Sequence, residues 1–160
     1  MPLSEGVEWS LHCAWLLAQV PPGKALSSRR MAEFYALPPA YLSKLLKSLV
    51  RAGILDATTG PRGGFRLARP PADITVLDVM EAVEGGDPLF RCTEIRQRGP
   101  APVATADCRR PCGIAKVMHD AEQAWRAQLA ASTVADLVTR ASSGSGGRVR
   151  GWLERLPEHA

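Results

Sequence analysis

Apolar residues fall into blocks along this chain, and the spacing changes from block to block. Residues 7–20, VEWSLHCAWLLAQV, are apolar almost all round, with Trp9, Cys13, Leu16, Leu17 and Val20 on one helical face. Ser4 stands where such a helix would be capped and Pro21-Pro22-Gly23 where it would stop. From Ser27 to Arg69 the pattern is shorter and sharper. Ser27 or Ser28 caps a helix running to about Tyr35, and Leu37-Pro38-Pro39 breaks it. A second helix starts at the prolines, where a missing N–H costs nothing. Tyr41, Leu42, Leu45, Leu46 and Leu49 form its apolar face, and Ser43, Lys44, Lys47, Ser48 and Arg51 its polar face. Gly53 fits a left-handed stop. Residues 54–58 and 65–67 read as two short strands joined by the turn Thr59-Gly60-Pro61-Arg62-Gly63-Gly64. The predicted unit is helix, turn, helix and two-stranded wing.

Beyond the wing, Ile74, Leu77, Val79, Met80 and Val83 predict another helix. Thr75 and Asp78 form a capping box at its start, and Glu84 to Pro88 end it. Residues 92–112 have no periodicity and are rich in Pro, Ala and Arg, so a loop is expected. Residues 113–131 predict a long helix with a stripe of Ile114, Val117, Met118, Ala121, Trp125 and Leu129. Such a stripe suits pairing with a second copy of the chain, or folding back on its own domain. Ser132 or Thr133 caps a short helix to about Thr139. Residues 141–147, ASSGSGG, read as a flexible linker. The last stretch, Val149 to Leu156, reads as a short amphipathic helix around Trp152 or as chain without fixed structure.

Charge sharpens this picture. The 160 residues carry a formal net charge of +4. Residues 1–72 hold nine Lys/Arg against four Asp/Glu, whereas residues 73–160 hold eleven against twelve. Positive charge is thus concentrated on the helix-turn-helix half, as binding to DNA phosphates requires. Small polar and cationic side chains on an exposed helix face suit a major groove, and a glycine-rich wing tip allows close approach to phosphate. The expected DNA contacts are Ser28, Arg29, Tyr41, Ser43, Lys44, Lys47, Arg62 and Gly63. No apolar run reaches transmembrane length and no signal-peptide pattern opens the chain, so a cytoplasmic protein is expected. There is no CxxC, no phosphate-binding glycine loop and no Ser/His/Asp set in a fitting context, so no enzyme is expected.

Two constellations remain. Cys92, Cys108 and Cys112 crowd the aperiodic stretch, with fifteen and then three residues between them. In a reducing compartment these are thiols or metal ligands rather than disulfides. The spacing fits no zinc ribbon or finger; the readings are an iron–sulfur site, a metal-free thiol pair that senses oxidants, or three incidental cysteines in a loop. Arg109 and Arg110, between two of the cysteines, are expected to favour thiolate. Glu8 and His12 interrupt the first greasy helix four residues apart, so they project from one face. They form either a two-point metal chelate or a surface hydrogen-bonded pair. Cys13, on the packed face, reads as a core thiol, and His119 as a surface residue on the long helix.

Several stretches together resemble the dimeric bacterial winged-helix regulators that carry an iron–sulfur cluster, of the IscR and NsrR type. They are VEWSLHCAW, AYLSKLLKSLVRAGIL with the wing GPRGGFRLARP, ITVLDVMEAVEG, and the three cysteines before a long helix containing Trp125. CTEIRQRGP and the Glu8/His12 pair are similar to the redox-sensing RsrR type. Ala115 stands where IscR-like members have a histidine. The resemblance implies a mostly α fold, with a small two-stranded wing and a long C-terminal dimerisation helix. It implies a DNA-binding domain at 1–72, a cluster loop and dimerisation helices at 73–140, and a linker and tail at 141–160. It further implies a cytoplasmic homodimer, bound to double-stranded operator DNA, whose affinity follows the state of a 2Fe-2S cluster between subunits. Cys108 and Cys112 would hold one iron, and Glu8 and His12 of the other subunit the second; Cys92 is spare or replaces one of the four. The alternative is a metal-free winged-helix regulator that senses oxidants through its thiols.

Overall fold

A computed structural model describes residues 3–61, 63–141 and 143–156, and the helix-turn-helix and wing stand where the sequence predicts them. Helix α1 spans Glu5–Leu17, slightly earlier than the apolar block suggests. Ser4 holds the N-cap position without capping. Its N–H donates to a Glu84 carboxylate oxygen at 3.1 Å, and its hydroxyl donates to the same oxygen. Helix α2 spans Ser28–Tyr35, with Ser27 Oγ accepting from the Arg30 N–H at 3.3 Å. It stops at Ala36, which takes the left-handed conformation (φ 52°) before the prolines. Helix α3 spans Pro39–Arg51 with proline in its first turn, and Gly53 (φ 68°) follows its end.

Strands β1 (Leu55–Thr58) and β2 (Gly64–Leu67) pair antiparallel, Leu55 opposite Leu67 and Thr58 opposite Gly64. Leu26, just ahead of α2, adds a bridge to Phe65. The wing can close only on glycine. A Cβ at Gly63 would lie 2.3 Å from the Thr58 carbonyl oxygen, and one at Gly64 would lie 2.6 Å from that of Leu26.

Helix α4 spans Val76–Glu84 and has the expected box: Thr75 Oγ1 accepts from the Asp78 N–H, and Asp78 accepts from the Thr75 N–H. Helix α5 spans Gly113–Ala130, α6 spans Val134–Arg140 and α7 spans Ser143–Glu154. A second box, Thr133 with Asp136, starts α6. Here two backbone bonds join the starts of α4 and α6: Val76 N–H to Ser132 O at 2.8 Å, and Val134 N–H to Ile74 O at 2.9 Å.

The chain divides into two compact units. One runs to Gly85 and resumes at Ala130; the other is Gly86–Leu129. The helices α4 and α6, grouped by sequence with the cluster loop, thus belong with the winged helix. The core of the larger unit is built from Leu16, Met31, Leu42, Leu46, Leu49, Ile54, Leu55, Ile74, Val79 and Val134, all fully buried. Ser10 is also buried there, and its hydroxyl has no partner among the described residues.

One expectation is corrected. Residues 143–147, expected as part of a flexible linker, are the start of a helix. The reason is tertiary packing. Val149 is 1% exposed in the core, and the Trp152 ring packs at a tilt against Phe34 of α2, 4.6 Å between ring centroids. That burial outweighs the poor helix propensity of the glycines. In the same unit Trp9, expected on the packed face of α1, is only half-buried.

Candidate nucleic-acid interface and metal centre

Helix α3 presents a polar, cationic face outward because its other face is consumed by the core. Leu42, Leu45, Leu46 and Leu49 are buried, which leaves Lys44 and Lys47 exposed and Ser43 half-exposed on the outward side. Tyr41 is 40% exposed, and its ring meets Trp9 of α1 edge-on at 5.3 Å. That contact is close because Gly6 has no side chain; a Cβ there would fall 2.9 Å from Leu45 Cδ2 and 3.2 Å from the Tyr41 hydroxyl. Ser28 lies in the first turn of α2. Arg29 is exposed but ion-paired with Glu33 at 3.0 Å, as is Arg30 at 3.0 Å. Hydrogen bonds from Arg29 and Arg30 hold the Glu33 carboxyl below the usual range. Gly63 is at the wing turn, its N–H donating to Gly60 O at 2.9 Å. Arg62 lies outside the described residues.

Glu8 and His12 are both exposed on α1, one turn apart. Neither makes a side-chain hydrogen bond among the described residues. Around them the surface is aromatic. The His12 ring lies 5.4 Å from that of Tyr35, and the Tyr35 hydroxyl donates to the His12 carbonyl oxygen at 2.8 Å. Burial raises the Tyr35 hydroxyl well above its ordinary value. Both residues also line a cavity of about 440 Å³ between α1, α2, α6 and α7.

The smaller unit holds the cysteine loop. Between Phe90 and Gly113 the backbone makes only two short 3-10 turns, Ile95–Gln97 and Thr105–Arg109. Cys108 and Cys112 are half-exposed and Cys92 is exposed. At their centre is a pair that sequence reasoning missed, Glu94 and Arg96, joined at 2.8 Å. Glu94 accepts from Cys92 Sγ at 3.5 Å and also meets the Cys108 thiol. Its backbone is left-handed (φ 47°), an uncommon state for a non-glycine residue. Arg96 acts electrostatically on both Cys108 and Cys112. The available signal was proximity in sequence: Glu94 and Arg96 directly follow Cys92.

The thiols differ in consequence. Cys112 sits at the start of α5, where its sulfur accepts from the Ala115 N–H at 3.5 Å. That bond holds its pKa below the ordinary thiol value, with Arg96 adding to the effect. For Cys108, burial raises the pKa despite the opposing charge of Arg96. The expectation that Arg109 and Arg110 would favour thiolate is therefore corrected. Both point to solvent, and the cation that faces the thiols is Arg96. Cys13 is the core thiol expected, fully buried, its pKa pushed up to about 12 by burial. His119 is exposed, with its ring 6.2 Å from that of Phe90.

Among the described residues, no three His, Cys, Asp or Glu side chains of one chain converge closely enough to hold a metal ion. The candidate donors come as two pairs, Cys108 with Cys112 and Glu8 with His12. The donor types of the two pairs together, two thiolates with an imidazole and a carboxylate, suit iron. No helix among the described residues is long and apolar enough to cross a membrane.

The fold is shared with solved regulators. It superposes on CymR, the global cysteine regulator of B. subtilis, with a TM-score of 0.68, 21% identity, and coverage of 89% of this chain and 99% of that one. For IscR of T. potens the TM-score is 0.65, with 23% identity and 90% of each chain covered. In sequence the chain is 28% identical over 138 residues to the HTH-type transcriptional regulator NsrR of Shouchella clausii (strain KSM-K16), covering 86% of this chain and 89% of that protein. Residues 3–140 match the model of a single family, described as "Rrf2: Iron-dependent Transcriptional regulator". With its winged helix intact and nearly its whole length matched, the chain belongs to the Rrf2 family of transcriptional regulators.

Proposed function

We propose that this DNA-binding transcription regulator, which is not an enzyme, is a homodimeric repressor whose hold on double-stranded operator DNA follows the state of a 2Fe-2S cluster shared between two copies. The observation that carries the reading is the pairing of the donors. Cys108 and Cys112 face one Arg96 guanidinium in the loop, and Glu8 and His12 stand one turn apart and unpartnered on α1. Each pair supplies half of a four-donor set. When bound, such a cluster would supply a reversible one-electron couple.

The chain's own residues supply the rest. The Ala115 N–H and Arg96 favour the thiolate of Cys112, the form that binds metal. Arg96 offsets negative charge that two thiolates bring to the loop. Ser28, Arg29, Tyr41, Ser43, Lys44, Lys47, Arg62 and Gly63 are the DNA contacts in this reading. Glu8 is followed in sequence by Trp9, whose ring meets Tyr41 of the reading helix, so the helix that carries Glu8 and His12 also touches the reader. A coupling of about 1–3 kcal/mol between the two would change operator affinity by roughly 5–150-fold, enough for a switch.

The test is a visible absorption spectrum of anaerobically purified protein, with iron and sulfide assays, on the wild type and on Glu8→Ala, His12→Ala, Cys92→Ala, Cys108→Ala and Cys112→Ala. Loss of the visible bands in all but Cys92→Ala is the expected result. Bands lost only in the cysteine variants would remove Glu8 and His12 from the donor set. A colourless, iron-free wild type would leave thiol chemistry as the sensor.

A further inference from the structure

The cavity between α1, α2, α6 and α7 opens to solvent, and its walls are of two kinds. Trp15, Phe34 and Tyr35 give it broad aromatic faces, with Leu137 beside them. Arg140, from the last turn of α6, and Arg148, from α7, also line it. Both arginines are exposed, and neither makes a hydrogen bond or ion pair among the described residues. Arg140 touches the chain's charge only at longer range, through Asp136, whose carboxylate is already taken by the N–H and hydroxyl of Thr133 at 2.8 Å each. Glu8 is the single acid on the lining, and His12 stands beside it.

A volume of about 440 Å³ suits a small organic molecule, and binding sites of this kind combine an apolar floor with a few convergent polar groups. We infer that this cavity is a binding site for a small planar organic anion, with its ring body on Trp15, Phe34 and Tyr35 and its acid group at Arg140 and Arg148. Charge complementarity selects the occupant. A neutral apolar molecule would leave both guanidiniums without a role, whereas an anion meets two free forked donors. The ring body would lie on aromatic faces, where flat contact adds to simple burial. Tyr35 ends α2 of the helix-turn-helix, so an occupant would touch the reading head itself. The inference goes beyond the shared cluster and does not need it.

The probe is 1-anilinonaphthalene-8-sulfonate, an aromatic sulfonate built on a flat naphthalene ring, titrated by fluorescence against the full chain. N-phenyl-1-naphthylamine, the same ring system without the charge, is its partner probe. The visible spectrum of each sample reports independently whether a cluster is bound. Saturable binding of one sulfonate per chain is expected. The double variant R140Q/R148Q should bind the sulfonate at least about tenfold more weakly, as loss of charged hydrogen bonds implies. The same variant should leave the neutral probe nearly unaffected, and Arg91→Gln, in the smaller unit, should change neither. Phe34→Leu should weaken both probes. Thermal melts of each variant confirm folding.

Equal binding of the two probes, with no response to the double variant, would overturn the inference by making the cavity merely apolar. So would the absence of saturable binding. Sulfonate binding that appears only when Cys108→Ala and Cys112→Ala are introduced would also overturn it, because the loop of a second copy would then be the occupant.

Discussion

The two units of this chain solve the burial problem in opposite ways. In the larger one, side chains from α1, α2, α3, the wing, α4, α6 and α7 close over a common core, and the big aliphatic residues are at or near zero exposure. In Gly86–Leu129 only Ala115 is buried, at 1%. Leu89, Ile95, Val103, Ile114, Val117 and Met118 are all exposed, Ile114 at 73% and Ile95 at 72%. An apolar surface of that extent on so short a segment is what association sites look like. The larger unit buries its apolar side chains in a common core, whereas the smaller one leaves most of its own exposed.

Thiol chemistry should separate the two most sharply. At mildly alkaline pH in metal-free protein, Cys112 should react with iodoacetamide on the order of a thousandfold faster than Cys13, because thiolate is the attacking form. Peptide mass spectrometry reads this directly; equal rates would mean that the buried thiol of α1 is not protected by the fold. Core truncation comes next. Leu46→Ala should lower unfolding free energy by about 3 kcal/mol in chemical denaturation. Val117→Ala should change folding of the single chain by less than about 0.5 kcal/mol, as surface changes do. It should instead weaken self-association in sedimentation; the reverse pattern would break the contrast between the units.

On the reading face, Lys44→Ala and Lys47→Ala should each weaken operator binding and reduce the salt slope of the affinity by about 1 where a phosphate contact is lost. Salt-titrated fluorescence anisotropy measures it. Smaller again is Thr75→Ala, which removes one half of the α4 capping box and should cost about 1 kcal/mol. Asp136 adds a pH signature. Its carboxyl is held low by the Thr133 N–H and hydroxyl, so the folded chain binds its proton less readily than the unfolded chain. The resulting stability is fully present above the unfolded carboxyl range and is lost as pH falls through the lower folded value. Asp136→Asn should therefore flatten the acid limb of the stability curve. Ser10→Ala should have the smallest effect, neutral to slightly stabilising, since the buried hydroxyl it removes has no partner.

The larger unit was legible in the sequence because each of its signals is local. Ser27, Pro39, Gly53 and the Thr75/Asp78 box mark ends that backbone chemistry enforces, and the leucines of α3 repeat at helical spacing. Where distant residues decide, the sequence misled. Residues 141–147 look like a linker, and 149–156 like either a short helix or loose chain, until Val149 joins the core and Trp152 meets Phe34, more than a hundred positions earlier. Arg109 and Arg110 look like the cations beside the thiols, yet the aperiodic loop turns them outward and brings Arg96 in. Nothing periodic marks Glu94 and Arg96, so composition could not single them out. The cavity was equally hidden, because its walls come from four helices scattered along the chain.

Helix α7 has a consequence in time rather than in affinity. It contains Gly144, Gly146, Gly147 and Gly151, each costing a helix roughly 1 kcal/mol relative to alanine. Its persistence rests on a few anchors at its C-terminal half, chiefly Val149 and Trp152. Amide protons of α7 should therefore exchange with deuterium through brief local openings, long before those of α1 and α3 do. Within the larger unit, α7 would open to a protease before α1 and α3, and anything that occupies the adjoining cavity would slow that clock.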